Sequence, residues 1–290
     1  MPKDSPTKTS VAVLMTCHNR RETTLRCLGS LFGQLLPENI ELRIYLVDDG
    51  STDGTAEAIQ QKYPSVVRIQ GNGMLYWCGG MRLAWSEAMK GDHDYFLWLN
   101  DDTDLLEQAL ACLIETSERM RALDLCGGII IGSTKDPSSG RLTYGGRCKG
   151  GSLIEPRNFP MPCDMMNGNI VLVSAEAAKK LGNISRCFNH KIGDWDYGLR
   201  AREAGIPVWI APGYQGFGKR NVPEKYILPS TSFKERWRLL HDPKGMPPSE
   251  YMIFLRRHYG FRWIYYLAKL YLTVCFPWLR RLKKDRPIDS

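Results

Sequence analysis

Residues 45–55 read YLVDDGSTDGT, an apolar run that ends in two adjacent carboxylates, Asp48 and Asp49, followed by a turn of Gly, Ser, Thr and Asp. Such a run suits a strand, and the turn suits the cap of a following helix. The same alternation repeats on either side. Short apolar or β-branched runs at 11–15, 40–47, 66–70 and 95–99 alternate with helical periodicity at 20–36, 53–63 and 80–90. This is the pattern of βαβ units, an α/β fold with a mixed, mostly parallel central sheet flanked by helices. In such sheets ligands bind outside the carboxyl ends of the strands. The residues after each run are therefore the candidate site, and here they are unusually polar.

Further along, a helix over 105–123 leads to a strand over 125–131, and the Gly-, Ser- and Lys-rich stretch 132–162 reads as loops and short antiparallel strands. A strand at 170–173 precedes a helix that Ser174 caps, with Glu176 adding charge to its first turn. Another helix, 195–204, stops at Gly205 and Pro207. From 249 to 284 the pattern is helical, broken at Gly260 and Pro277. A chain of 290 residues fits one large α/β unit plus an appendage. The expected division is a flexible segment 1–10, a main domain 11–230 and a basic, aromatic-rich helical extension 231–290.

Hydrophobic residues make up 43% and charged residues 24% of the chain, with no long charge-free apolar stretch, which excludes a disordered chain and a multispanning membrane protein. The nine cysteines form no C-x-x-C pair, and Cys17, Cys112 and Cys126 lie in apolar surroundings. They read as buried, reduced thiols. The start, MPKDSPTKTS, lacks the apolar core of a secretory signal, so the expected location is the cytoplasm. A net charge of +8 suits an anionic partner. Much of the excess sits in Arg280, Arg281, Lys283, Lys284 and Arg286, beside aromatic residues. That pairing favours a membrane surface over nucleic acid, because no basic stripe crosses the core.

Three acidic clusters carry candidate chemistry. Asp48 and Asp49 can accept hydrogen bonds from a nucleobase N–H or ribose hydroxyls, although the same residues also make a good turn and cap. The run 96–105, FLWLNDDTDL, ends a strand at Asn100, Asp101, Asp102 and Asp104. That cluster repels itself unless it is hydrated or neutralised. Magnesium, which needs one or two carboxylates plus phosphate oxygens, would neutralise it; an acidic helix cap is the alternative. In GDWDYGLRAREAG, 193–205, Asp194 and Asp196 precede a helix bearing Arg200 and Arg202. A carboxylate there could take a proton from a hydroxyl, and a helical Asp196–Arg200 ion pair is the alternative.

In this order and with these separations the clusters resemble those of the family 2 nucleotide-sugar glycosyltransferases, which have the GT-A fold, and the resemblance spans 11–212. VAVLMTCHNR, 11–20, is similar to the family's opening strand and base-contact segment, which implies donor contacts from Thr16, His18, Asn19 and Arg20. VDDGSTDGT implies that Asp48 or Asp49 touches base or ribose. LNDDT resembles the D-x-D metal motif in an N-x-D form also seen in rhamnosyltransferase-like members. It implies Asp102 as the ligand of Mg2+ or Mn2+, with Asn100 and Asp101 near the donor. Asp194 falls on the catalytic-base position, with Gly193 where Glu is usual. GNGMLYWCGGMRLAW, 71–85, places Gly79 and Gly80 near the donor and Trp77 near the acceptor. Asn167, Asn169, Trp195 and Asp196 complete the implied acceptor side.

The resemblance thus implies an inverting, metal-dependent transfer from a nucleotide-sugar donor, UDP- or dTDP-linked, to a glycan or lipid-linked acceptor. The donor would occupy the half 11–104 and the acceptor the half 105–230. The rivals are a sugar nucleotidyltransferase, for which CHNRRE is poor in glycine, and a catalytically silent nucleotide- or glycan-binding module. The extension resembles that of some bacterial polysaccharide-associated members. It implies surface-polysaccharide synthesis, with peripheral contact at the inner face of the cytoplasmic membrane through residues after Ser249.

Overall fold

A computed structural model describes residues 8–123, 127–220 and 224–278; Cys126, residues 1–7 and the basic cluster at 280–286 lie outside them. The first half follows the alternation of the sequence: β1 (Thr9–Cys17), α1 (Arg21–Phe32), β2 (Ile40–Asp48), α2 (Thr55–Lys62), β3 (Val67–Gln70), α3 (Tyr76–Ala88) and β4 (Tyr95–Leu99). These strands lie in the order β3-β2-β1-β4 and pair in parallel. Residues 11–15 and all of β4 are buried, as befits continuous apolar strands covered on both faces.

The second half comprises β5 (Asp104–Leu105), α4 (Ala109–Ala122), β6 (Ile129–Lys135), β7 (Leu142–Tyr144), β8 (Gly146–Arg147), β9 (Met161–Pro162), β10 (Met165–Met166), β11 (Ile170–Ser174), α5 (Ala175–Leu181), α6 (Gly193–Glu203) and β12 (Val208–Phe217). The sheet continues as β4-β11-β6-β12-β5. Strand β11 runs antiparallel to β4, and Ile170 pairs with Leu99. The polar segment ahead of β11 is therefore delivered beside the polar end of β4. Ser174 caps α5 by accepting from the Ala177 amide at 3.3 Å. Trp85, Trp98 and Tyr197 form a buried aromatic wedge with ring centroids 5.1–5.5 Å apart, packing α3, β4 and α6 together.

Three differences from the sequence reading have local causes. Strand β12 was not anticipated; it runs through Pro212, Gly213 and Gly216, and register shifts after Ile210 and Tyr214 absorb them. Helix α3 begins ahead of Gly79 and Gly80, so both glycines lie inside it. Helix α6 begins at Gly193, which puts Asp194 and Asp196 within its first turn.

Residues 1–186 and 193–220 form one compact unit, and residues 187–192 and 221–290 form another. The second contains α7 (Phe233–His241), α8 (Pro248–His258) and α9 (Trp263–Cys275). Its small core includes Tyr226, Leu240 and Val274. Buried Arg236 donates from Nε to the Val274 carbonyl at 2.8 Å, satisfying an acceptor in the last turn of α9. Residues 187–192 are tied in by Asn189, whose backbone N–H and Nδ2 both donate to Glu250. Among the described residues, no helix is long and apolar enough to cross a membrane.

Gly80 allows α3 to lie directly on the end of β1: a Cβ there would stand 2.1 Å from Thr16 Oγ1 and 2.7 Å from Thr16 Cβ. Because the obstacle includes a rigid Cβ, rotamer change cannot relieve it. Gly80→Ala should destabilise the protein by about 1–3 kcal/mol, measured by denaturant unfolding; an unchanged midpoint would show that the helix yields freely.

Candidate active site

The parallel strands β1, β2 and β4 end on the same edge of the sheet, and the first two acidic clusters sit there. Asp49 is buried, and its carboxylate is committed to backbone donors: Gly73 N at 2.8 Å, Leu75 N at 2.9 Å and Tyr76 N at 3.1 Å. It thereby caps α3 from another segment of the chain. Asp48 Oδ1 accepts from Ser51 N at 2.9 Å and holds the turn. His18 donates from Nδ1 to the Asp49 carbonyl at 2.6 Å, which leaves Nε2 to accept from Asn19 Nδ2 at 3.2 Å. Asn19 Oδ1 accepts from Thr52 N at 2.7 Å. His18, Asn19, Asp48 and Asp49 thus form one knitted loop pair, whereas Thr16 and Gly80 meet as packing partners and Gly79 faces Leu75 and Arg82.

Arg20 crosses to the second cluster. Its Nη1 donates to Asp101 Oδ1 at 3.2 Å and to Asp102 Oδ2 at 3.0 Å, while Thr24 Oγ1 donates to Asp101 Oδ2 at 3.3 Å. Arg26 Nε grips both oxygens of Asp104 at 2.9 and 2.8 Å. Two arginines therefore relieve the repulsion that the sequence implied. Burial pushes the Asp101 carboxyl up to about 6; Arg20 pulls it down and Asp102 adds to the rise. The Asp102 side chain is 38% exposed. Among the described residues no group of three or more His, Cys, Asp or Glu is arranged around a cation. The chemistry of Asp102 nonetheless fits a hard ion such as magnesium, which takes one or two carboxylates and completes its shell with phosphate oxygens and water.

Trp77 joins this cluster to the third. Its Nε1 donates to Asn100 Oδ1 at 2.7 Å, and its ring lies against Gly168, where a Cβ would stand 2.4 Å from Cζ2. Gly168 N donates to Asp194 Oδ2 at 3.0 Å, and Trp195 N donates to Asp194 Oδ1 at 2.9 Å. Asp194 is half-buried. Burial raises its carboxyl to about 6, against the lowering effect of these two N–H donors and of Arg147. Asn169 lies under the site: its carbonyl accepts from Asn100 N at 3.0 Å and its Nδ2 donates to Thr103 Oγ1 at 3.3 Å. Asn167 Oδ1 accepts from Arg147 Nε at 3.0 Å, and the Arg147 guanidinium sits 5.8 Å from the Trp195 ring centroid.

Asp196 corrects an expectation. It is wholly buried and accepts from Arg200 Nε at 2.9 Å, the i,i+4 pair that its helix favours, instead of standing at the surface. The structure in turn adds residues that the motifs did not single out: Thr24, Gly168 and Arg147. Gly168 lies between Asn167 and Asn169, both implied for the acceptor side, but Arg147 sits in a stretch without periodicity, and no sequence signal marked it. Asn19, Tyr76 and Ile192 are the non-glycine residues with positive φ among those described (51°, 54° and 72°), and they fall in the base-contact segment, at the start of α3 and just before α6. Strained backbone of this kind persists where the surroundings enforce a geometry.

The chain matches the family model described as "Glycosyl transferase family 2" over residues 12–180, more than half its length. No curated protein matches it significantly in sequence. Similar solved structures include S. aureus TarS 1–349 in complex with UDP-GlcNAc, at 12% identity and TM-score 0.57, covering 92% of this chain and 82% of that one. The same protein in complex with UDP aligns at 12% identity and TM-score 0.55 over 87% and 72% of the two chains. Mannosyltransferase PcManGT from Pyrobaculum calidifontis, in complex with GDP-Man and Mn2+, aligns at 14% identity and TM-score 0.54 over 99% and 80%. At such identities the likeness shows the fold, a mixed and mostly parallel sheet of the GT-A kind. With its acidic segments linked through Trp77 at one end of that sheet, and with the family model covering most of the same segments, the chain belongs to glycosyl transferase family 2.

Proposed function

We propose that the protein transfers a sugar, with inversion, from a nucleotide-diphosphate donor to a hydroxyl of a glycan or lipid-linked acceptor in bacterial surface-polysaccharide synthesis. The observation that carries this reading is the placement of Asp194, half-buried and joined through Gly168 and Trp77 to the end of β4 that bears Asp101 and Asp102. The UDP, UDP-GlcNAc and GDP-Man bound by the similar structures support a nucleotide-sugar donor.

Each Asp194 oxygen accepts one backbone N–H and keeps lone-pair capacity for a proton. In a single displacement the acceptor oxygen attacks the anomeric carbon as its proton passes to Asp194. The carbon–oxygen bond to the diphosphate breaks, and the leaving group takes the electron pair. One displacement inverts the anomeric centre, whereas retention would need a nucleophilic carboxylate on the opposite face. A carboxyl raised to about 6 is a stronger base than an ordinary aspartate and is still ionised at neutral pH. Asp102 would hold a divalent cation, which when bound supplies charge to the departing diphosphate.

Asp194→Asn should lower turnover by about 100-fold or more while binding of the donor nucleotide survives. Because the base works only when ionised, activity should climb as pH rises through about 6 and level off above it, and the variant should lose that limb. A flat wild-type profile from about pH 5 to about pH 8 would remove Asp194 from the role. Chelation with EDTA, or Asp102→Ala, should weaken donor binding and abolish transfer; full activity in EDTA would refute the cation.

The second unit supplies the membrane contact of this proposal. Between 251 and 278 there is no acidic residue, and Arg256, Arg257, Arg262 and Lys269 are exposed. Phe261, Ile264, Tyr265, Leu272 and Phe276 are exposed as well, at spacings that place them along one side of α9 and its flanks. An apolar stripe bordered by cations suits an anionic bilayer surface. The double variant Ile264→Asp, Leu272→Asp should cut binding to phosphatidylglycerol vesicles by about tenfold or more, as read by co-sedimentation; equal binding would mean that this face serves something else.

A further inference from the structure

Arg147 is a half-buried cation with no ion-pair partner among the described residues. Its hydrogen bonds go to neutral acceptors, Asn167 Oδ1 at 3.0 Å and the Gly151 carbonyl, and among the described residues no carboxylate forms an ion pair with it. It is also firmly placed. Strand β8 pairs with β10, where Arg147 faces Met165, and a further bridge joins Arg147 to Leu153. Gly146 makes this seating possible, since a Cβ there would meet Ile210 Cγ1 at 2.5 Å and Cys163 Sγ at 2.9 Å.

The surroundings add a second positive charge. Burial lowers the Arg147 pKa, nearby Asp194 raises it, and Arg220 lowers it again, so Arg220 lies close enough to be felt. Arg220 is exposed and forms no ion pair among the described residues. A half-buried guanidinium that Asp194 influences but does not pair with favours whatever anion can share the place. A planar guanidinium matches phosphate or carboxylate with two parallel bonds. The donor diphosphate is the first anion to consider, but Arg20 and the Asp101–Asp102 loop already define that side. Arg147 instead touches Asn167 and Trp195 and borders Asp194, the group proposed to face the accepting hydroxyl.

We infer that the acceptor carries an oxyanion, phosphate or carboxylate, close to the hydroxyl it presents, and that Arg147 binds it. The inference rests on the reading of Asp194 as the base, because it locates the acceptor by that residue. Arg147 then sets acceptor specificity: neutral sugars would leave the cation unanswered, and anionic ones would satisfy it.

Calorimetric titration of the full-length protein tests this, with UDP or GDP in excess to fill the donor site. The probes are methyl glucoside, glucuronate and glucose 6-phosphate. At least one anionic probe should bind about tenfold or more tightly than the neutral one, as a charge-assisted pair implies, and the carboxylate and phosphate arms separate the two sources of the oxyanion. Arg147→Gln should erase that advantage, and Arg147→Lys should retain part of it. Equal binding of neutral and anionic probes overturns the inference. So does an advantage that persists in a folded Arg147→Gln, judged by its melting temperature, or one seen only when UDP and GDP are left out, which would assign Arg147 to the donor. Should Arg147→Gln fail to fold, Arg147→Lys decides: without the planar fork the advantage must shrink, and no change overturns the proposal. Titration of UDP and GDP alone reports on the donor reading separately.

Discussion

The site depends on one contact, the indole of Trp77 lying flush against a residue that has no side chain. Gly168 leaves room for the ring edge, and the N–H of the same residue orients Asp194. The indole N–H is spent on Asn100, and its ring meets Trp98 edge-on with centroids 5.9 Å apart. Three segments far apart in the chain are thereby brought into register: the start of α3, the end of β4 and the approach to β11. A half-buried indole that is hydrogen-bonded and aromatic-packed has little freedom, so the separation between the loop bearing Asp102 and the carboxylate of Asp194 is held by rigid parts. Asp49 secures the other end of the same device, because the turn it caps is the one that launches α3 and hence Trp77.

The parallel core was legible because its strands are unbroken apolar runs, and such runs state their burial without reference to partners. Strand β12 was not, since its proline and glycines are tolerated only through register shifts against β6, a property of the pair and not of the segment. The acidic positions were legible as motifs, yet their tasks were not. That Asp49 would spend its carboxylate on amides 24 to 27 residues downstream depends on how the chain folds back. Asp196 shows the converse: its pairing with Arg200 is a local i,i+4 relation, and the sequence already offered it as the alternative. Arg147 owes its position to a two-residue pairing of β8 with β10, too short to leave a periodic trace.

Gly193 stands where the family resemblance expects glutamate, and packing explains why no side chain fits. A Cβ on Gly193 would meet Cys78 Sγ at 2.6 Å and Ile184 Cγ2 at 3.1 Å, because α6 begins directly against α3. The supporting carboxylate is absent, and Asp194 is oriented by backbone donors instead, the amides of Gly168 and Trp195. These donors favour the ionised carboxyl and so oppose burial, which is why the group stops at about 6.

Asp101 and Asp194 show that acidity alone does not choose the base. Burial raises both carboxyls to about 6, and each accepts hydrogen bonds through both oxygens. They differ in what surrounds those bonds. Asp101 is 6% exposed and paired with Arg20, so a proton reaching it must displace a cation in a closed space. Asp194 is half-buried, and its donors are neutral amides that approach from the protein side. Two aspartates raised alike by burial are thus divided by exposure and by the charge of their partners: one neutralises Arg20 within the sheet end, and the other, in the proposed transfer, takes a proton.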